Sequence, residues 1–162
     1  MGKIYKTLIY DGQISLSVLD TTDVVNKAIK LHGLTPLCAA GLGRALTVAS
    51  FMATSLKDEN EKLSVTIDGN GVGGKIVVCA DGNLNVRGSI VNPHADLPLK
   101  PNGKLDVGGL VGNEGMITVV KNLGLKEPYV GKCKLVSGEI GEDFAAYYAY
   151  SEQQPPAIAV GG

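Results

Sequence analysis

Cysteine and histidine are scarce in this chain, and the few present are badly spaced for chemistry. Three cysteines stand at Cys38, Cys79 and Cys133. Their number is odd, their separations are wide, and no Cys-x-x-Cys pair occurs, so neither a zinc knuckle nor a dithiol motif can be assembled from them. Three buried apolar thiols are the expectation, rather than a disulfide. The two histidines, His32 and His94, have no Cys, Ser or Asp at a spacing that suggests a nucleophile or a metal ligand set. No G-x-S-x-G elbow and no H-E-x-x-H stretch is found. Asp11, Asp68 and Asp81 each precede glycine, which explains them as turn formers better than as paired catalytic carboxylates. The sequence therefore predicts no catalytic, cofactor-binding or metal-binding residue, and no enzyme.

An excess of either charge is also missing. Fifteen Lys and Arg balance sixteen Asp and Glu, for a net charge of −1. Nothing in that balance draws the chain to nucleic acid or to an acidic membrane, and the basic residues are not interleaved with aromatics as in a stacking platform. The N-terminal MGKIYKTLIYDGQ has no apolar core and no cleavage site, so a signal peptide is not expected. One apolar run, residues 37–56, approaches the length of a membrane span, but Arg44 near its middle and its Gly, Ser and Thr content argue for a buried helix of a cytoplasmic protein.

Glycine, in contrast, is abundant at 22 of 162 residues, clustered between apolar runs as in strands joined by tight turns. KTLIY and QISLSVL flank Asp11-Gly12, a hairpin turn pair. TTDVVNKAIKLHG reads as a helix capped by Thr21 or Thr22, with Val25, Ala28 and Ile29 on its apolar face and Gly33 at its end. Thr35-Pro36 opens a second helix, apolar on most sides. Gly41, Ala45, Ala49 and Ala53 form a smooth line along it, and Arg44 must reach a partner or snorkel to the surface, a structural ion pair being expected over a catalytic role. Strand signals follow at LSVTID, GKIVVCADG and NLNVRGSIV, with a second turn at Asp81-Gly82. NPHADLPLKPNG is either an ordered crossover or a flexible arm. KLDVGGLVG, MITVVKN and YVGKCKLVSG again read as strands. EIGEDFAAYYAYSEQ reads as an amphipathic helix with Ile140, Phe144, Tyr147, Tyr148 and Ser151 on one side, and with Tyr150 the most exposed candidate for contact with another protein. The closing PAIAVGG reads as the start of a further strand. The pattern is α+β: antiparallel sheets, a central buried helix and a C-terminal amphipathic helix.

One stretch imitates chemistry. GNGVGGKI, residues 69–76, fits G-x-G-x-x-G through Gly69, Gly71 and Gly74, and G-x-x-x-x-G-K through Lys75. Both motifs need a helix N-terminus aimed at phosphate. Here Ile76 replaces the magnesium-binding hydroxyl and a strand follows, so a wide glycine turn or bulge is expected instead.

Three long phrases carry a resemblance: GGKIVVCADGNLNVRGSIVNP, GLVGNEGMITVVKNLGLKEPYVG and LVSGEIGEDFAAYYAYSEQ. With LTPLCAAGLGRALTVASFMA they resemble, in order and over essentially all of residues 1–162, the thirty-three-kilodalton heat-shock chaperonin family, the redox-regulated holdases of bacteria. The resemblance implies an ATP-independent chaperone whose partners are unfolding client proteins, in a family whose active members are dimers. It covers the N-terminal, substrate-holding domain only. The family's C-terminal region binds zinc through four cysteines and unfolds when these are oxidised. None of Cys38, Cys79 or Cys133 matches that motif, so zinc is expected in the full-length protein and the chain is expected to be a truncated form without the switch. Client-binding residues are not assigned. Two other readings stay open: an inert dimerisation or structural fragment, and a phosphate-binding enzyme domain using GNGVGGK.

Overall fold

A computed structural model describes residues 2–154 and 156–161. The chain begins with a hairpin of β1 (Lys3–Ile9) and β2 (Ile14–Asp20), which make a separate two-stranded sheet. Asp11 and Gly12 both take positive φ, and Gln13 N–H donates to the Tyr10 carbonyl at 3.1 Å. This is the primed turn whose twist suits a hairpin, and the expectation at Asp11-Gly12 holds.

Helix α1 (Thr22–His32) follows. Its cap differs from the expectation. Neither Thr21 nor Thr22 caps it through a side chain. Asp20 accepts from the Thr22 N–H at 3.0 Å and from the Thr22 hydroxyl at 2.6 Å. The Thr21 hydroxyl is taken up by Thr47 on the next helix, at 2.6 Å. Hydrogen bonds from Thr22 hold the Asp20 carboxyl below the usual range. Gly33 ends the helix in the left-handed region, its N–H donating to Ile29.

Helix α2 (Pro36–Ala53) is capped by the Thr35 hydroxyl, which accepts from Cys38 N–H. It is long and apolar enough to cross a membrane by length and composition. Here it is the core helix: Gly41, Ala45, Ala49 and Ala53 are all buried, as their spacing suggested. It packs on α1, on α3 (Val107–Val111) and on the inner face of the second sheet. A Cβ at Gly41 would lie 2.6 Å from the Leu110 side chain, so glycine there sets how closely α3 approaches.

The second sheet has β3 (Lys62–Asp68), β4 (Ile76–Asp81), β5 (Val86–Ile90), β6 (Met116–Asn122) and β7 (Tyr129–Lys134), all antiparallel in the order β5-β4-β3-β6-β7. Strict alternation turns Leu63, Val65, Ile67, Ile76, Val78, Ile117 and Val119 inward. Helix α4 (Gly141–Tyr150) closes the β7 end. Ile140, Phe144 and Tyr147 are fully buried beneath it.

Three sequence readings need correction. KLDVGGLVG forms no strand: its second half is α3, capped by Asp106, whose carboxylate accepts from Gly109 N–H at 3.0 Å. Val107, Leu110 and Val111 then fall on one buried side at helical spacing, and this outweighs the two glycines. The Asp81-Gly82 turn spans four residues, with Asp81 accepting from Asn83 and Asn85. PAIAVGG has no strand pairing among its described residues, although Ile158 and Val160 alternate onto the core; Pro155 and Gly162 lie outside the described residues. The proline segment 92–103 is an ordered crossover. Pro93 accepts from Thr35 N–H, Ala95 accepts from the Thr35 hydroxyl, and the Asn92 side-chain amide donates to Val72.

Candidate functional site

The glycine loop resembles a phosphate cradle only in sequence. Its amides are already used: Gly71 N–H donates to Val111 at 3.0 Å, Gly73 N–H to Leu110 at 2.9 Å and Gly74 N–H back to Gly71 at 3.2 Å. A Cβ at Gly69 or Gly71 would lie 2.3 Å from a carbonyl oxygen of Gly112 or Leu110. The glycines therefore let residues 69–74 lie backbone to backbone on α3. Lys75 is exposed and leads directly into β4. The loop runs into a strand and not into a helix N-terminus, so among the described residues the geometry matches the wide-turn expectation and not a nucleotide site.

The carboxylates are dispersed as well. Asp68 and Asp81 sit at opposite ends of β3's two ladders, across from Met116 and Lys62, while Asp11 is at the tip of the separate hairpin. His94 is exposed in the crossover and His32 is half-buried at the end of α1. Among the described residues, no three His, Cys, Asp or Glu side chains gather as a metal site. Cys38 is buried, its thiol near the Asn92 and Ala95 carbonyls. Cys79 and Cys133 are only half-buried, which corrects the expectation of three buried thiols. They belong to β4 and β7, three strand spacings or about 14 Å apart, and on opposite faces of the sheet. A disulfide needs Cα atoms within about 7 Å. Burial, with the nearby Asp143 charge, raises the Cys133 thiol above its ordinary pKa, which favours the protonated form over the nucleophilic thiolate. The zinc that the family resemblance implies thus finds no donor set in these residues.

Two polar clusters tie the C-terminal helix to the body. Arg44 has the ion partner expected of it: Glu139, at 3.0 Å, with Lys100 on the carboxylate's other oxygen at 3.1 Å. Burial works to raise the Glu139 carboxyl, but hydrogen bonds from Lys100 and Arg44 outweigh it and hold the group below its usual range. A lowered folded pKa means stability that is full above the unfolded value of about 4.3 and is lost as pH falls through the folded value. Glu139→Gln should therefore cost about 1 kcal/mol at neutral pH, and the cost should shrink as pH falls from neutral into the acid range. Urea titrations across that range measure this. In the second cluster, Glu152 accepts from Lys121 at 2.6 Å and from the Tyr147 hydroxyl at 3.0 Å. Burial, then hydrogen bonding, pushes the Tyr147 phenol far above its usual range. Lys121 also lies 5.1 Å from the Tyr129 ring centre.

What remains is surface. Six of the fifteen large apolar side chains exposed among the described residues lie in the first hairpin. One hairpin face sets Tyr5 against Val18, Thr7 against Leu16 and Ile9 against Ile14. Tyr5 is 63% exposed and Val18 54%. On the other face Ile4 and Leu19 are half-buried, and Ile4 lines a shallow cavity with Val24, Ser50 and Leu84. Beyond that base the tip is free, with Leu8 exposed and Tyr10 72% exposed. Lys6 lies 5.9 Å from the Phe51 ring centre and helps to hold the hairpin against α2. The other exposed apolar residues, including Tyr150 at 79%, stand singly along the chain, as is normal for a protein surface. Sequence reading found the hairpin but missed its exposure. The available signal was that both faces carry apolar residues while no other strand-forming segment adjoins it.

The architecture of the described residues is that of an α+β domain of antiparallel sheets and four helices. The family model described as Hsp33 protein matches residues 2–162. The 33 kDa chaperonin of Clostridium tetani is 46% identical over 98% of this chain and 54% of its own length. That of Acetivibrio thermocellus is 51% identical over 93% of this chain and 51% of its own. The crystal structure of the 33 kDa chaperonin from Thermotoga maritima superposes with a TM-score of 0.88 at 40% identity, covering 94% of this chain and 52% of that one. The chain belongs to the Hsp33 protein family. It spans about half the length of the curated relatives it matches.

Proposed function

We propose that this chain is the substrate-holding domain of an ATP-independent chaperone of the cytoplasm, binding unfolding proteins during heat or oxidative stress. The observation that carries this reading is the first hairpin, a protruding apolar surface on a chain otherwise folded around a well-buried core. Apolar area removed from water contributes roughly 25 cal/mol per Å² whatever the sequence of the partner, and exposed apolar patches of this sort mark interaction sites. The names of the relatives, 33 kDa chaperonins, point the same way. Family membership likewise points to a binding protein, not an enzyme.

The zinc and thiol switch implied by the resemblance has no counterpart among Cys38, Cys79 and Cys133, which are separated by the sheet and the core. Holding by these residues is therefore independent of thiol oxidation. Light scattering from a heat-unfolded client should fall to the same extent in reductant and in peroxide when this chain is added. Protection seen only in peroxide would contradict the reading. A stable dimer without protection, by ultracentrifugation beside the same assay, would favour an inert dimerisation fragment.

A further inference from the structure

We infer that Asn102-Gly103, at the end of the proline crossover, is a site of spontaneous covalent modification: the asparagine deamidates through a succinimide and leaves a mixture of aspartate and isoaspartate. The fold protects the other such pair, Asn70-Gly71. These are the two places where asparagine precedes glycine in the chain. Glycine matters because its backbone nitrogen, with no Cβ beside it, can approach the preceding side chain closely.

The Gly103 amide gives its proton to a base in solution, and its nitrogen attacks the Asn102 side-chain carbonyl carbon. A C–N bond forms and closes the ring. The bond to Nδ2 breaks, and that nitrogen leaves as ammonia with a proton from water. Water then adds to either ring carbonyl and opens it, giving aspartate or isoaspartate with one new negative charge. The carbonyl under attack is already polarised, because Asn102 Oδ1 accepts from the Lys104 N–H at 3.0 Å. That donor lies where negative charge develops as the nitrogen adds. Room for the ring is open, since nothing lies within 4 Å of a Cβ position at Gly103.

Both asparagines are exposed among the described residues, so exposure does not separate the two pairs. The glycine nitrogens do. Gly103 N–H donates to the Lys100 carbonyl at 2.8 Å, and Lys100 N–H donates to the Lys104 carbonyl at 2.8 Å. Both bonds lie within the turn 100–104, which can open without moving another element. Gly71 N–H donates instead to Val111 on α3 at 3.0 Å, beside the bond from Gly73 to Leu110 at 2.9 Å. A Cβ at Gly71 would lie 2.3 Å from the Leu110 carbonyl oxygen. Freeing that nitrogen means lifting the loop off α3. Amides released by local opening exchange and react in proportion to the open fraction. The modification also reaches the body of the fold. Isoaspartate routes the main chain through the side-chain carbons and lengthens the turn that carries Lys100, whose ammonium holds Glu139 at 3.1 Å.

The test is to hold the folded chain in mildly alkaline buffer, digest samples over time, and separate the peptides by mass and by isoaspartate content. The peptide with residue 102 should acquire both products at least about tenfold faster than the peptide with residue 70, a difference of about 1.4 kcal/mol in opening. Native-state hydrogen exchange should rank the two amides the same way, with Gly103 at least about tenfold faster than Gly71. In guanidinium the two pairs should react at similar rates, and Asn102→Ser should abolish the first signal in the folded chain. Equal or reversed rates in the folded chain would overturn the inference. So would a folded chain left intact at residue 102 while the unfolded chain is modified at both pairs. A preference for residue 102 that persists in guanidinium would overturn it too, because neighbouring residues and not the fold would then set the rate.

Discussion

Replacing Asp143 with alanine should lower stability by about 3–5 kcal/mol, more than any other single side-chain truncation on the polar face of α4. The carboxylate is fully buried. It accepts from Val136 N–H at 2.6 Å, Ser137 at 3.0 Å, Gly138 at 3.3 Å and Ile140 at 2.8 Å. These four amides belong to the tight connection between β7 and α4, where backbone-to-backbone pairing is unavailable. Alanine would deprive all four of this acceptor and leave the Gly138 and Ile140 amides buried without one. The same carboxylate holds Ile140 at φ 79°, a conformation that a β-branched residue adopts only when its surroundings force it. For a chain of this size the loss corresponds to a melting temperature lower by about 10 °C. Asp143→Asn keeps one acceptor oxygen and should lose less. Calorimetry on the three proteins measures the difference, and a loss under about 1 kcal/mol for alanine would show that the connection can satisfy itself.

Gly71→Ala should cost about 2–4 kcal/mol although it adds one methyl group. The added carbon would meet the Leu110 carbonyl oxygen at 2.3 Å and the Val111 carbonyl carbon at 2.5 Å. These are backbone atoms of α3, so relief requires moving α3 off the loop. That movement would stretch the bonds from Gly71 to Val111 and from Gly73 to Leu110. Gly141→Ala is the natural control, since nothing lies within 4 Å of its Cβ position and alanine favours a helix start by a few tenths of a kcal/mol or more. Denaturant titrations should move the two variants in opposite directions. Equal, small changes would mean that the loop and α3 are only loosely apposed.

These two sites show what could be read in the sequence and what could not. Helix α2 was legible because Thr35-Pro36 and the four-residue spacing of small residues are local signals. The strands were legible from alternation. The glycine loop was legible as a turn once Ile76 and the following strand were noticed. Its true partner was not, because α3 was itself misread: Val107, Leu110 and Val111 look like a broken strand until Asp106 is recognised as a cap. Asp143 could be placed at a helix N-terminus, yet its bonds go to residues three to seven positions earlier, in a connection whose path only the fold determines. The hairpin shows the opposite failure. Its strands and turn were plain from KTLIY, Asp11-Gly12 and QISLSVL, but alternation implies one covered face. That neither strand pairs with a second neighbour among the described residues is a property of the topology.

Client holding, as proposed, depends on that hairpin. Leu8 and Val18 are exposed on opposite faces of it, so replacing both with lysine should leave the melting temperature within about 2 °C. Aggregation of a heat-unfolded client, followed by light scattering, is the deciding measurement. The wild-type chain should suppress it and the doubly substituted chain should not. Undiminished suppression by a folded variant would place the holding surface elsewhere and contradict the account.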